Sequence, residues 1–396
     1  MIKIIKVISL KVLGIFIYVL DYLVPKDNKL FIFSQRNGQF SDNSKSLFQY
    51  MQENSELLAD VRTVWITKNK GLVDNKIFLD ICSLSSFWVS LRAKHFIVCH
   101  GSGELFYSRY FSKKKNTIVL WHAIMLKKYG FLDASYTQKD YNSIKKERDK
   151  YTLFLASSKL DALSVSACNQ LESDRVLITG LPRNDILFNP PAVSRLHGVS
   201  EHIKEILNKK VILYAPTFRD GGLTQFFPFE DLKIESIAKY LRKNNAYMLI
   251  RPHQNDRKNI QRLKDLIRKH GERFILADIN NVIDVAEIIP YVDTIITDYS
   301  SIYLDALLLN CPCVFIPYDL EEYESARGII YDYDMVTPGA KVKTQAEFLD
   351  ALSEALNGGL KYQDRRNQVR DMFHAHQDGK ASQRVAKKLL ALVACR

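Results

Sequence analysis

Two histidines in this chain each end an apolar run beside cationic side chains, the setting in which an imidazole does chemistry on phosphate. Met248-Leu249-Ile250 delivers Arg251-Pro252-His253, two cationic or potentially cationic groups that could neutralise the charge of a departing phosphate. Arg219, in Pro216-Thr217-Phe218-Arg219-Asp220, has the fork geometry for a bidentate contact to the same group. A histidine in such a place could also simply close a hydrogen bond at a strand end, but Arg251 and Arg219 together favour an anion site. Asp298-Tyr299-Ser300-Ser301 precedes an apolar helical stretch, Ile302 to Leu309. Either serine could cap that helix and present hydroxyls and free amides to an anion. The second histidine, His122, follows Trp121 and precedes Lys127-Lys128. A neutral imidazole there can take the proton of an incoming hydroxyl, and the lysines could hold an anionic acceptor.

These groups need elements that bring them together. Short apolar runs recur at Leu30–Phe33, Thr63–Ile66, His95–Cys99, Ile118–Trp121, Leu153–Ala156 and Val176–Thr179. They continue at Val211–Tyr214, Tyr247–Ile250, Phe274–Leu276, Thr294–Ile296 and Val314–Ile316, with helical stretches between. That alternation predicts α/β architecture with parallel strands. Nearly every unusual polar cluster directly follows one of these runs, where open α/β sheets bind ligands. The clusters are Ser34 to Gly38, His122, Gly180 to Asp185, Pro216 to Asp220, Arg251 to His253, Asp298 to Ser301 and Pro317 to Asp319. Two doubly wound Rossmann-like domains facing a cleft, the type-B glycosyltransferase architecture, would gather all of them. Asn189-Pro190-Pro191 and the polar stretch to His202 mark the division, giving residues 28–200 and 201–396 as the domains, the second with a C-terminal helix.

The chain has 396 residues and a formal net charge of +12, which calls for an anionic partner such as phosphate-rich substrate or acidic lipid. Nucleic acid is disfavoured, since no RNA-binding signature or basic–aromatic stripe is present. Six scattered cysteines argue against a disulfide framework or zinc site. There is no phosphate loop, dinucleotide fingerprint or metal motif, so no metal ligand or tightly bound cofactor is assigned. In residues 1–27, Ile5, Ile8, Val12, Ile15, Phe16, Val19 and Leu23 share one helical face, with Lys3, Lys11 and Asp21 opposite and Lys6 at the margin. This is an amphipathic helix for the surface of an anionic membrane or, alternatively, a core helix.

In order along the chain, Ser41-Asp42-Asn43-Ser44-Lys45, Trp121-His122, Gly180-Leu181-Pro182-Arg183-Asn184-Asp185, Ala215 to Asp220, Arg251-Pro252-His253, Asp298 to Ser301, Arg327-Gly328 and Asp378-Gly379 with Arg384 resemble the landmarks of one family. It is the CDP-glycerol:poly(glycerophosphate) glycerophosphotransferase family of teichoic-acid and capsule synthesis. The resemblance implies transfer of a polyol phosphate from a CDP-glycerol co-substrate to a lipid-linked saccharide or growing polymer, with release of CMP. It further implies attachment to the cytoplasmic face of the bacterial membrane. His122 then matches the base and His253 a phosphate-supporting residue. Thr217, Arg219, Arg251, Asp298, Ser300, Ser301 and Arg327 fall on the donor side, and Asn43, Lys127, Arg183, Asn184 and Asp185 on the acceptor side. Where the family reads Trp-His-Gly-Thr, this chain has Ala123 and Ile124. The rival expectations are CDP-ribitol as donor, a nucleotide-sugar glycosyltransferase, and a non-catalytic scaffold.

Overall fold

A computed structural model describes residues 2–394 apart from 59–60, 75, 106, 113, 220–223 and 254–255, and the side chains of 2–11, 37, 57, 109 and 257–259 are also outside it. Two parallel sheets carry the chain. The first holds β1 (Asp27–Phe33), β2 (Arg62–Thr67), β3 (Phe78–Asp80), β4 (Ala93–Val98), β5 (Asn116–Val119), β6 (Tyr151–Ala156) and β7 (Val176–Ile178), in the order 3-2-1-4-5-6-7. The second holds β8 (Lys210–Tyr214), β9 (Ala246–Ile250), β10 (Phe274–Leu276), β11 (Thr294–Thr297), β12 (Cys313–Phe315) and β13 (Ala340–Lys341), in the order 10-9-8-11-12-13. Every expected strand is present. β3 (Phe78-Leu79-Asp80) and β13 (Ala340-Lys341), three and two residues long, each end on a charged residue and lack the continuous apolar run of the others.

In each sheet the order reverses next to its first strand, between β1 and β4 and between β8 and β11. These are the switch points at which doubly wound sheets open a crevice. The strands are continuous apolar runs because both faces are covered: Phe31, Ile32, Phe33, Ile97, Ile212, Leu213, Leu249 and Ile295 are fully buried. One apolar cluster spans the two sheets, joining Ile124, Leu126, Leu181 and Leu187 to Leu213, Ile295, Tyr299 and Leu304. The segment after β5 also pairs with the second half directly, through a Lys127–Ile329 antiparallel bridge and Lys128 N to Gly328 O at 3.0 Å.

Two helices depart from expectation. The C-terminal helix Ala381–Ala394, counted by sequence with the second half, buries Val385, Ala386 and Leu389 against Phe31, Phe33 and Leu120 of the first. The stretch after Ser301 is one α-helical segment, Ile302–Ala306, followed by a 3-10 turn over Leu307–Leu309. Ser301 occupies the cap position, and its side chain makes no capping bond.

The N-terminal helix spans Ile2–Leu23. Gly14 faces the Tyr110 ring, Ile17 is buried, and Asp21 accepts from Ser112 N and Oγ at 2.8 and 2.6 Å while pairing with Lys26 and Lys115 at 3.2 and 3.0 Å. Val12, Ile15, Phe16, Val19 and Leu23 are exposed, Ile15 at 66%. Gly14, Ile17 and Asp21 thus dock this helix, and the face carrying Val12, Ile15, Phe16, Val19 and Leu23 points away from the core. Ile5, Ile8 and the nearby lysines lie outside the described side chains. Among the described residues no helix is long and apolar enough to cross a membrane.

Candidate active site

The carboxyl ends of both sheets open onto one cavity of about 670 Å³. Its first-sheet wall carries Gln35 and Arg36 after β1, His100 after β4, Trp121 to Lys127 after β5, and Arg183. Its second-sheet wall carries Ala215 and Pro216 after β8, Arg251 to His253 after β9, Asp284, Ser300 and Ser301 after β11, Asp305 and Arg327. Doubly wound topology therefore unites residues scattered over almost 300 positions of sequence.

His122 is held from three sides. Its ring stacks on His100 at 4.1 Å between centroids and 15° between planes, with Trp121 at 4.5 Å. Its backbone carbonyl accepts from Arg183. Asn43 Nδ2 donates to Trp121 O at 2.8 Å, while Asn43 Oδ1 accepts from Arg183 N at 2.9 Å. This clamp maintains a strained backbone: Trp121 and Asp42 have φ of +58° and +63°, a region costing a non-glycine residue about 1–2 kcal/mol. Strain held this way by surrounding bonds is common where geometry serves a reaction. His122 Nδ1 is buried and has no hydrogen-bond partner among the described residues. Burial first, then the positive surroundings of His100, Arg183, Arg36 and Lys127, hold the imidazole well below its ordinary value of 6.5. The ring is neutral at physiological pH and able to accept a proton.

On the opposite wall, Arg251 Nη1 donates to Ala277 O at 2.9 Å, Asp278 O at 3.3 Å and also to Val282 O. Burial pushes its pKa down to about 10 against the pull of Asp284 and Asp278, so it stays cationic. His253 is exposed and stacks on Phe218 at 5.3 Å. Arg327 reaches the cavity while pairing with Asp133 of the first half at 3.3 Å. Ser300 and Ser301 add hydroxyls. The arrangement sets a neutral, proton-accepting imidazole against cations and hydroxyls suited to a phosphate.

The CDP-glycerol:poly(glycerophosphate) glycerophosphotransferase family matches this chain over residues 16–391. The chain belongs to that family. Membership makes it a transferase that moves a polyol phosphate out of a CDP-polyol. It is similar to the teichoic acid glycerol-phosphate transferase of Staphylococcus aureus (strain NCTC 8325 / PS 47), with 27% identity over 383 residues, 92% of this chain and 94% of the relative. It is equally similar, at 27% over 373 residues, to the teichoic acid ribitol-phosphate polymerase TarL of that strain, covering 92% of this chain and 63% of the relative. Among solved structures the fold resembles the wall teichoic acid polymerase TagF, with a TM-score of 0.76 at 22% identity over 99% and 97% of the two chains. The architecture is the type-B one.

Several residues of the family pattern do not touch the cavity. Arg219, expected on the donor phosphates, is enclosed: Nε and Nη2 donate to Asp319 at 2.7 and 2.8 Å, Nη2 to Asp298 at 2.9 Å, and Nη1 to Thr217 O at 2.7 Å. Its guanidinium also lies about 5 Å from the Tyr299, Tyr318 and Tyr323 rings. Asp298 further accepts from the backbone of Thr217 and Tyr299 at 2.8 and 2.6 Å. Arg219, Thr217 and Asp298 are thus a brace for the post-strand loops, and Asp319 faces Arg219 instead of the cavity. On the acceptor side, Asn43 is the clamp described above. Asn184 donates to Asp305 at 2.9 Å, and Asp185 accepts Ala381 N and Ser382 N at 2.8 Å each, tying down the last helix. Lys127 remains on the wall, its Nζ 3.3 Å from Thr217 Oγ1.

Sequence reasoning missed a set of carboxylates. Arg183 bridges Asp42 at 3.1 Å and Asp305 at 2.6 Å, Asp42 N donates to Asp284 at 2.7 Å, and Lys45 pairs with Glu287. These bonds join the two halves, and Asp42, Arg183, Asp284 and Asp305 themselves line the cavity. Nothing in the residues around Asp284, Asp305 or Glu287 distinguishes them from surface acids. His100 was missed too, although it directly follows a strand as His122 does. Ile124, at the departure from Gly-Thr, is buried in the cluster between the sheets.

Proposed function

We propose that the chain transfers glycerol phosphate from CDP-glycerol to a hydroxyl of a lipid-linked saccharide or growing polymer and releases CMP. The reading rests on the orphaned, neutral His122 imidazole set in one cavity with Arg251, His253, Ser300, Ser301 and Arg327. The acceptor oxygen attacks the phosphorus that bears glycerol, and the bond from that phosphorus to the oxygen shared with CMP breaks. His122 takes the hydroxyl proton, and CMP leaves with the bridging oxygen. Arg251, Arg327 and His253 offset the charge gathering on that leaving phosphate. Residues 28–200 then supply the acceptor side and the part from 201 the donor side, with the last helix returning to the first. Purified protein with a lipid-linked disaccharide acceptor should release CMP from CDP-glycerol. Release from CDP-ribitol alone would reassign the polyol, and turnover of a UDP-sugar instead would reject phosphotransfer.

The exposed face of the N-terminal helix supports a peripheral position on the anionic cytoplasmic surface of the membrane. Val12, Ile15, Phe16, Val19 and Leu23 are left exposed by the described residues, and burying such side chains stabilises by roughly 1.5–3 kcal/mol each. The doubly substituted Ile15→Glu, Phe16→Glu protein should leave floating vesicles for the supernatant while melting normally. Undiminished flotation would place the contact on another surface.

A further inference from the structure

A second concavity of about 720 Å³ adjoins the cavity, with Arg36 and His100 lining both. Its remaining wall carries Lys68, Lys146 and Lys150 with Glu104 and Glu147. The two carboxylates are engaged inward. Glu104 accepts from Cys99 N at 3.1 Å, His100 N at 2.6 Å and His100 Nδ1 at 3.0 Å. Glu147 accepts from Ser102 N and Oγ at 2.5 and 2.9 Å and from Lys150 at 3.2 Å. The Arg36, Lys68 and Lys146 side chains are exposed and have no carboxylate partner among the described residues. Four cations, Arg36, Lys68, Lys146 and Lys150, against two bonded carboxylates leave the recess net positive, and a positively charged recess draws in anions.

Its position narrows the ligand. The segment Ser102–Glu104 in its wall is bonded to the turn Ser108–Tyr110 through Ser108 Oγ and Ser102 O, and Tyr110 is the seat of Gly14 in the N-terminal helix. The recess thus adjoins the His122 cavity on one side, and its wall is tied through Ser108–Tyr110 to the helix with the exposed apolar face. We infer that it binds phosphate groups of the acceptor, holding them while the acceptor hydroxyl reaches His122. This rests on the phosphotransfer reading above and extends it to an acceptor subsite. Such phosphates occur as the diphosphate of a lipid carrier or as phosphodiesters of the growing chain, and the chemistry of recognition is the same.

The full chain and its Lys68→Glu, Lys146→Glu double variant distinguish these sources. Binding is measured without donor to two probes: a water-soluble glycerol-phosphate oligomer, and a polyprenyl-diphosphate-linked disaccharide in zwitterionic vesicles. Charge reversal should weaken binding about tenfold or more and blunt its salt dependence, while CDP-glycerol affinity and the melting midpoint stay at wild-type values. Loss for the lipid-linked probe alone assigns the carrier diphosphate; loss for the oligomer alone assigns the polymer phosphodiesters. Unchanged binding of both, or no binding of either by the wild-type chain, overturns the subsite. Wild-type binding of a probe without CMP release from CDP-glycerol would leave the recess standing and remove the phosphotransfer reading instead.

Discussion

The loop after β5 and the loop after β8 both leave the carboxyl end of a parallel strand, yet their polar groups have opposite fates. Around His122 the backbone is strained at Trp121, the ring is neutral, and Nδ1 lacks a partner among the described residues. Around Arg219 each assigned nitrogen donates to a carboxylate or carbonyl, and three tyrosine rings close the site. A buried polar group without a partner is costly, so its persistence marks a place shaped for something other than stability. A satisfied ion cluster is what a scaffold needs. Under the proposed function the contrast separates chemistry from architecture within one type of post-strand loop.

The largest effect should come from the unsatisfied side. His122→Asn is expected to lower turnover ~10²–10⁴-fold with little change in CDP-glycerol affinity measured by calorimetry. Because burial and its positive neighbours depress the imidazole, the acid limb of wild-type turnover should fall below pH 6.5. Near-normal turnover in the variant would move the base elsewhere and erase the contrast.

Arg219→Ala tests the satisfied side. It would strand Asp298 and Asp319, whose side chains are 3% and 15% exposed, and removing one member of a buried pair costs about 3–5 kcal/mol. Chemical denaturation without ligand should show that loss. A normal midpoint joined to strongly weakened CDP-glycerol binding would return Arg219 to the donor phosphates.

A third histidine sharpens the distinction at smaller scale. His95, at the opposite end of the first sheet from the cavity, is fully buried, stacks on Phe31 at 4.3 Å and meets Asn28 O and Oδ1 at 3.0 and 3.1 Å. Burial lowers its pKa to about 4 despite those bonds. The unfolded chain then binds the extra proton more readily between about pH 4 and 6.5, so stability is complete above that window and falls by about 3 kcal/mol as pH descends through it. In His95→Phe that part of the slope should vanish with turnover per folded molecule retained. An unchanged slope would assign the acid sensitivity to other groups.

Much of this was legible in the sequence. Apolar runs of strand length with helical stretches between them determine parallel α/β sheets, because a strand covered on both faces must be apolar throughout. The position of His122 and His253 directly after such runs determines that they emerge at the carboxyl edges. The ordered landmarks determine the family. What tertiary structure alone decided is which polar groups face the cavity. Arg219 and Arg251 read alike along the chain, but only folding brings Asp298 and Asp319 around the first while leaving the second on the cavity wall. Likewise the sequence defines an apolar face on the first helix, whereas only packing shows that Gly14, Ile17 and Asp21 dock and the apolar face does not. The reason is common to both: composition and spacing set what a side chain can bond to, and partners hundreds of residues away determine what it does bond to.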